Sequence, residues 1–248
     1  MAVGKFGPAS GILLVDGYNV LSNKITGLRE KAISQLTDTT GIGDTFEEKT
    51  PTGLTTLEVV QEGGFFDTTA NYSHAAFSGT VPTSPQATAR VLCAGFAGQT
   101  TGYPMVGFAG TYTQDYEVVA EMGNLQKANV TYAMTGQRDA GEIIQPLATK
   151  TGSWNTESTP VDNGSSTSGG GVGYLQCTAA SGFSAFTGQL KESSDDVTYA
   201  AFINFSTSVD APFAERLEMS GTVQRYVAFT GSVTGSGSIT VFCGFSRG

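Results

Sequence analysis

Short runs rich in β-branched and aromatic residues recur along the whole chain, and each is soon closed by glycine, serine, threonine or aspartate. Ile12-Leu13-Leu14-Val15 stops at Asp16-Gly17, Leu217-Glu218-Met219-Ser220 at Gly221-Thr222, and Thr234-Gly235-Ser236-Gly237 precedes Ser238-Ile239-Thr240-Val241-Phe242. Turn signals at this spacing predict antiparallel strands in a sandwich or barrel. With 33 glycines and few long helical runs, the chain reads as mainly β. One helix is predicted, from Thr68 to Phe77, capped by Thr68 or Thr69 and carrying Tyr72, Ala75, Ala76 and Phe77 as its apolar stripe.

Composition narrows the function classes. Hydrophobic residues at 39% and charged ones at 14% argue against a disordered acidic chain, and 248 residues suffice for one large β domain or two small ones. The net charge is −9, and the densest basic stretch, Lys24 to Lys31, brackets Glu30, so the clustered cations of tight nucleic-acid binding are missing. Cys93, Cys177 and Cys243 lack metal-type spacing and each sits in an apolar run, which predicts reduced core thiols. A single histidine, His74, argues against a zinc site and a serine triad alike. No Gly-x-Ser-x-Gly elbow occurs at a strand-to-helix turn, and Ser168 to Gly173 lacks the lysine and helix of a phosphate loop. Glu47-Glu48 and Asp195-Asp196 are neighbours in sequence, so on a strand they face opposite sides. The expectation is no catalysis, no cofactor and no metal. The start, Met1 to Pro8, is too polar for a secretion signal and no run approaches a membrane span, which predicts cytoplasmic production without a membrane anchor.

Four segments follow from the pattern. Residues 1–17 read as an arm whose run Ile12 to Val15 is either an edge strand added to a neighbour or the first strand of its own sheet. Residues 18–150 form a first β domain, with strands ending at Ala32-Ile33-Ser34-Gln35-Leu36, resuming at Leu54 to Val60, and continuing as Arg90 to Phe96, Met105 to Tyr112, Tyr116 to Ala120 and Asn129 to Met134. Residues 151–170, rich in glycine, serine and threonine with Trp154 the only large anchor, read as a linker or long loop. Residues 171–248 hold six further strands, a compact jelly-roll or immunoglobulin-like sandwich.

Between two strands of the first domain lies a polar excursion, Thr40-Gly41-Ile42-Gly43-Asp44-Thr45-Phe46-Glu47-Glu48, followed by Pro51-Thr52-Gly53-Leu54 and later by Glu62-Gly63-Gly64-Phe65-Phe66-Asp67. An excursion of that length is uncommon in a compact domain without a function. Over residues 18–145 this order resembles the tail tube (major tail) proteins of long-tailed bacteriophages. The resemblance implies a virion structural protein whose copies join edge to edge into a hexameric ring, or a trimeric one if residues 171–248 repeat the fold. Rings then stack into a tube that meets other tail proteins and passes DNA without binding it tightly. It implies an inter-ring stacking loop of Thr40, Ile42, Asp44, Phe46, Glu47, Glu48, Lys49 and Pro51, and a bore lined by Ser34, Gln35 and Glu58. The Thr68–Phe77 helix would pack outside the sheet, and residues 171–248 would decorate the exterior. Many tube proteins stop after the first domain, and this chain does not.

A different class remains open from the residues alone: a carbohydrate-binding, host-adhesion or tail-decoration protein. It requires exposed aromatics on one face, with Trp154, Tyr174, Tyr199 and Tyr226 as candidates and Asp195-Asp196 as a possible calcium ligand pair. The three tyrosines lie within alternating strands, which favours core positions for them.

Overall fold

Four consecutive apolar residues leave a strand no polar face, so Ile12 to Val15 is stable only where both sides are covered. The computed structural model describes residues 11–20, 27–43, 45–65, 89–123, 126–136, 138–152, 154, 159–206 and 211–248, and it covers both sides of this strand. In β1 (Ile12–Val15) every residue is fully buried. Leu13 and Val15 pack with Leu92, Val106, Phe108, Val130 and Tyr132, whereas Ile12 and Leu14 pack with Cys93, Met105, Ile143, Tyr174 and Phe242. β1 pairs with β5 (Arg90–Gly95) and β2 (Tyr18–Asn19), so of the two readings of this run it is the first strand of its own sheet.

The fold is mainly antiparallel β. A long hairpin of β6 (Pro104–Val119) against β7 (Lys127–Met134) and β8 (Arg138–Thr151) forms its spine. The near half of β6 completes the sheet of β1 and β5, and its far half, beyond Gly110 at φ 61°, pairs with β7. β4 (Lys49–Phe65) lies on the other edge of β7, and β3 (Gly27–Asp38) on the other edge of β4. Farther along the same edge of the spine, β13 (Tyr226–Arg247) pairs with β8. The sheet of β1 is therefore sandwiched between the β3–β4–β7 side and the C-terminal strands.

The C-terminal sandwich is one folded ribbon. β10 (Gly171–Ser193) and β13 pair along nearly their whole lengths, with register shifts between Cys177 and Ala185. Bulges bend paired strands, and here they fold the ribbon over its own core of Leu175, Phe186, Leu190, Phe229, Val241 and Cys243. β12 (Phe213–Met219) borders the first half of β10 and β11 (Ala200–Asn204) its second half, while β9 (Val161–Asp162) borders β13. Val172–Cys177 and Gly188–Ser193, expected as separate strands, are thus two halves of β10. The expected turn Thr234–Gly237 is a bulged corner within β13. A carbon side chain on Gly237 would come within 1.9 Å of the Ser181 carbonyl.

The stretch 151–170 is tied down more than its composition predicts. Trp154 bridges to Gly231 and stacks on Phe186 at 5.9 Å, and Gly231 is what seats it, since a Cβ there would lie 2.2 Å from the indole. Val161 is buried, and Thr167 bridges to Val223. The predicted helix Thr68–Phe77 and its His74 lie outside the described residues.

Polar groups fix how the layers meet. Gln176 of β10 is wholly buried; its Oε1 accepts the Gly17 N–H at 2.6 Å and its Nε2 donates to the Val91 carbonyl at 2.9 Å. Gly17 has φ +81° and no room for a Cβ, which would sit 2.4 Å from the Cys177 carbonyl. Nearby, the Tyr174 hydroxyl donates to Asp139, and Arg216 donates to the same carboxylate at 2.9 Å. Gln176→Ala orphans the buried Gly17 N–H, while the Val91 carbonyl keeps the Asp16 N–H at 3.0 Å, so urea denaturation is expected to show a loss of about 1–3 kcal/mol. An unchanged midpoint would contradict the role assigned to this clasp.

Candidate functional site

β3 and β4 pair from Gly27↔Glu62 to Asp38↔Lys49, with one register shift between Ser34 and Leu36, but β7 supports β4 only from Leu57 onward. Beyond Leu57 the pair runs on as a bare two-stranded ribbon, and all of residues 45–55 are exposed. Ile33, Leu36, Ile42, Phe46 and Leu54 stand out from it, Phe46 with 83% of its surface free. Such a ribbon is marginal alone, and local bonds hold its end. The Thr39 N–H donates to the Glu48 carbonyl at 2.9 Å. Asp38 accepts from the Thr40 N–H at 2.9 Å and from its hydroxyl at 2.6 Å, and the Glu48 N–H returns to Thr40 Oγ1 at 2.9 Å. The Thr40 hydroxyl and N–H hold the Asp38 carboxyl below its ordinary range. This is the side-chain-to-backbone turn chemistry that aspartate and threonine favour.

The ribbon places most of the expected stacking residues at its tip. Ile42 and Phe46 point to solvent, Glu47 pairs with Lys49 at 2.8 Å, and Glu48 is exposed. Thr40 spends its side chain closing the tip. Pro51 lies within β4 opposite Leu36, because strand pairing extends farther than the sequence pattern indicates and the loop proper is only residues 39–48. Asp44 lies outside the described residues. The expected bore residues do not share one surface. Ser34 opposes Thr55, in the row of Leu57 and Val59 that turns toward the core, while Glu58 opposes Lys31 on the outward face, 3.9 Å from its ammonium. Gln35 sits at a bulge, where its carbonyl accepts the Thr52 hydroxyl at 3.0 Å.

That outward face is acidic. Glu58 and Glu62 of β4 continue across Thr131 and Asn129 of β7 to Asp115 and Glu117 of β6. Its cations are Arg29 and Lys31, paired with Glu62 and Glu58, and Lys127, which lines one recess with Glu62 and Asn129. At the root of the ribbon, where Arg138 meets Glu30, a groove of about 420 Å³ opens between the spine and β13. Sequence reading did not find it, since its lining comes from Phe96, Pro104, Val106, Ala140 and Phe245, residues distant in the chain. Ile33 and Leu36, apolar points of the first strand pattern, and Leu54, where the pattern resumes, are exposed. Their uneven spacing with Leu28, without period 2, was the available signal.

Of the aromatic candidates, Tyr174 and Trp154 are taken into packing, whereas Tyr199 and Tyr226, expected in the core, lie half-buried outside it. Tyr174 is fully buried and Trp154 is stacked; Tyr199 is half-buried with its hydroxyl on Asp196, and Tyr226 lies under Arg225 at 4.8 Å. Asp195 accepts the Val197 and Thr198 N–H groups at 3.0 and 2.9 Å, which hold its carboxyl down at about 2. Among the described residues no group of His, Cys, Asp and Glu is placed to hold a metal ion. The three cysteines are free and buried, as the apolar runs predict, and burial pushes the Cys93 and Cys177 thiols up to about 12 and Cys243 well above its ordinary value. Since only thiolate reacts, iodoacetamide at pH 8 is expected to label none of them in the folded protein and all three after unfolding. Labelling of any native thiol would contradict this packing.

No family model and no curated protein matches the chain. Among solved structures it is similar to the tail of an empty GTA particle refined helically with C6 symmetry, at 9% identity over 51% of this chain and 92% of that one, with TM-score 0.36. It is also similar to SPP1 Dit (gp 19.1), a hub adsorption protein of phages infecting Gram-positive bacteria, at 14% identity over 95% and 98% of the two chains and TM-score 0.33. A third likeness, to infectious bursal disease virus Gx strain, has TM-score 0.16 with 13% identity over 99% of this chain and 57% of that one. Two of the three are tail or tail-hub proteins. These are distant likenesses, below the TM-score at which a shared role follows.

Proposed function

We propose that this chain is a structural subunit of a phage-type virion tail, of the tube kind, in which copies close into a ring and rings stack into a conduit for DNA. The observation that carries the reading is the β3–β4 ribbon, which beyond Leu57 has no further strand beside it among the described residues and presents exposed apolar side chains. A bare ribbon with an open outer edge is a liability for a lone molecule, because unpaired edges invite association. A repeating assembly turns the same feature to use by covering it with the next copy. The acidic face of β4, β7 and β6 suits a bore, since carboxylates repel the phosphate backbone and let it slide. Ring size, six or three, follows from how the edges meet, and the assembly needs neither cofactor nor catalysis.

The adhesion reading loses its platform here, because Tyr174 and Trp154 are taken up by packing rather than offered to a ligand. The test keeps the body intact and removes the tip. Replacing residues 39–48 by Asn-Gly closes Asp38↔Lys49 with a two-residue hairpin turn. The variant is expected to keep the wild-type melting curve and to form no stacked tubes in negative-stain images of concentrated protein. Tubes of ordinary length from this variant would refute the role given to the tip.

A further inference from the structure

We infer that Asn163–Gly164 is a latent modification site, a succinimide-forming step that the Asp162–Arg225 ion pair holds unreactive in the folded chain. It is the one Asn-Gly step in the sequence. It lies just past β9, where the chain leaves its pairing with β13 and enters the glycine- and serine-rich stretch before β10. Gly164 has φ +75°, and a Cβ there would meet nothing within 4 Å, so no side chain crowds the step.

The reaction needs nothing beyond base and water. The Gly164 nitrogen gives its proton to base and attacks the carboxamide carbon of Asn163; a C–N bond closes a five-membered imide and ammonia leaves. Water then opens the imide at either carbonyl, giving aspartate or isoaspartate, and the chain gains a carboxylate. Closure requires a Gly164 N–H that can be lost and an Asn163 carboxamide turned back onto that nitrogen. The fold withholds both. Asp162 Oδ1 accepts the Gly164 N–H at 2.8 Å, and a carboxylate there disfavours the anion that must form. The Arg225 carbonyl accepts the Asn163 N–H at 3.1 Å and its Nδ2 at 3.3 Å, with the Val161 carbonyl 3.4 Å from the same Nδ2, so the carboxamide is engaged by other backbone groups.

The guarding carboxylate is itself held. Arg225 Nε donates to Asp162 Oδ1 and its Nη2 to Oδ2, both at 2.6 Å, a fork that fixes the plane of the carboxylate. The Arg225 fork, and after it the Gly164 N–H, hold the Asp162 carboxyl down at about 2, so it is ionised at every pH at which base-promoted closure runs. The same guanidinium lies over the Tyr226 ring at 4.8 Å, which steadies the fork from its other side. Reactive step and guard are neighbours in the chain, and the arginine is delivered by the pairing Tyr226↔Asp162. Loss of the pair opens a site whose product places a new carboxylate on the groove that Asn163 lines.

Peptide mass spectrometry with isoaspartate detection, on full-length protein kept at mildly alkaline pH, reads the conversion of Asn163. Each rate is taken against the same chain unfolded in urea. Folded wild type is expected to convert at least about tenfold more slowly than unfolded, because closure waits on local opening. Asp162→Ala, which removes the acceptor, is expected to lose most of that protection with an unchanged melting curve. Arg225→Gln, which leaves Asp162 in place without its fork, is expected to fall between the two. Folded wild type converting as fast as unfolded chain would overturn the inference, as would a folded Asp162→Ala that converts as slowly as wild type. If Asp162→Ala does not fold, Arg225→Gln decides: a rate no higher than wild type would overturn the guarding role.

Discussion

Everything in this fold is arranged around a strand that cannot face water. Ile12 to Val15 needs apolar cover on two sides, and fully burying each such side chain is worth about 1.5–3 kcal/mol. One side is supplied by β4, β6 and β7, and the other by β8, β10 and β13. The N-terminal and C-terminal portions of the chain are thereby joined through shared side chains rather than merely tethered. Gln176 works at the same junction. It reaches from the C-terminal ribbon to the Asp16–Gly17 turn and to β5, satisfying the buried Gly17 N–H and giving the Val91 carbonyl a second donor beside the Asp16 N–H.

What the core draws in also defines what is left over. β7 supports β4 only as far as Leu57, where β7 itself ends at Met134, and β13 takes the same edge of the spine only from Glu142. The β3–β4 pair therefore departs as a ribbon, and a groove remains where it departs. Projection and recess both follow from the stretch of that edge between Met134 and Glu142, which neither β4 nor β13 borders. Most of its other polar features, including the Asp195 turn and the Asp162–Arg225 pair, are satisfied locally and ask for no partner.

The sequence was most legible where local chemistry decides. The stop after Ile12–Val15, the strands at Arg90 and Asn129, and the buried thiols all followed from apolar runs and turn residues. It was less legible where long-range pairing overrides local signals. Gly235 and Gly237 look like turn residues, yet they bend one continuous ribbon, because β10 and β13 pair along nearly their whole lengths. The Gly/Ser/Thr-rich stretch after residue 151 reads as a linker on composition, but a single tryptophan opposite a glycine pins it. For the site, the tip residues Ile42, Phe46, Glu47 and Glu48 were readable from polarity and length. The bore triple was not, because it depends on pairing register: Ser34 opposes Thr55, three residues from Glu58, so alternation sends the two to opposite faces.

Amide hydrogen exchange on the full-length protein, read by mass spectrometry, tests the central claim most directly. If β1 is the common core of both portions, its amides open only with the whole molecule, at the same rate as those of β10 and the C-terminal half of β13. The ribbon from Ile33 to Thr56 then exchanges orders of magnitude faster. Rapid exchange of Leu13 to Val15 while Val172 to Cys177 stay protected would contradict it, and would show two halves that fold without each other.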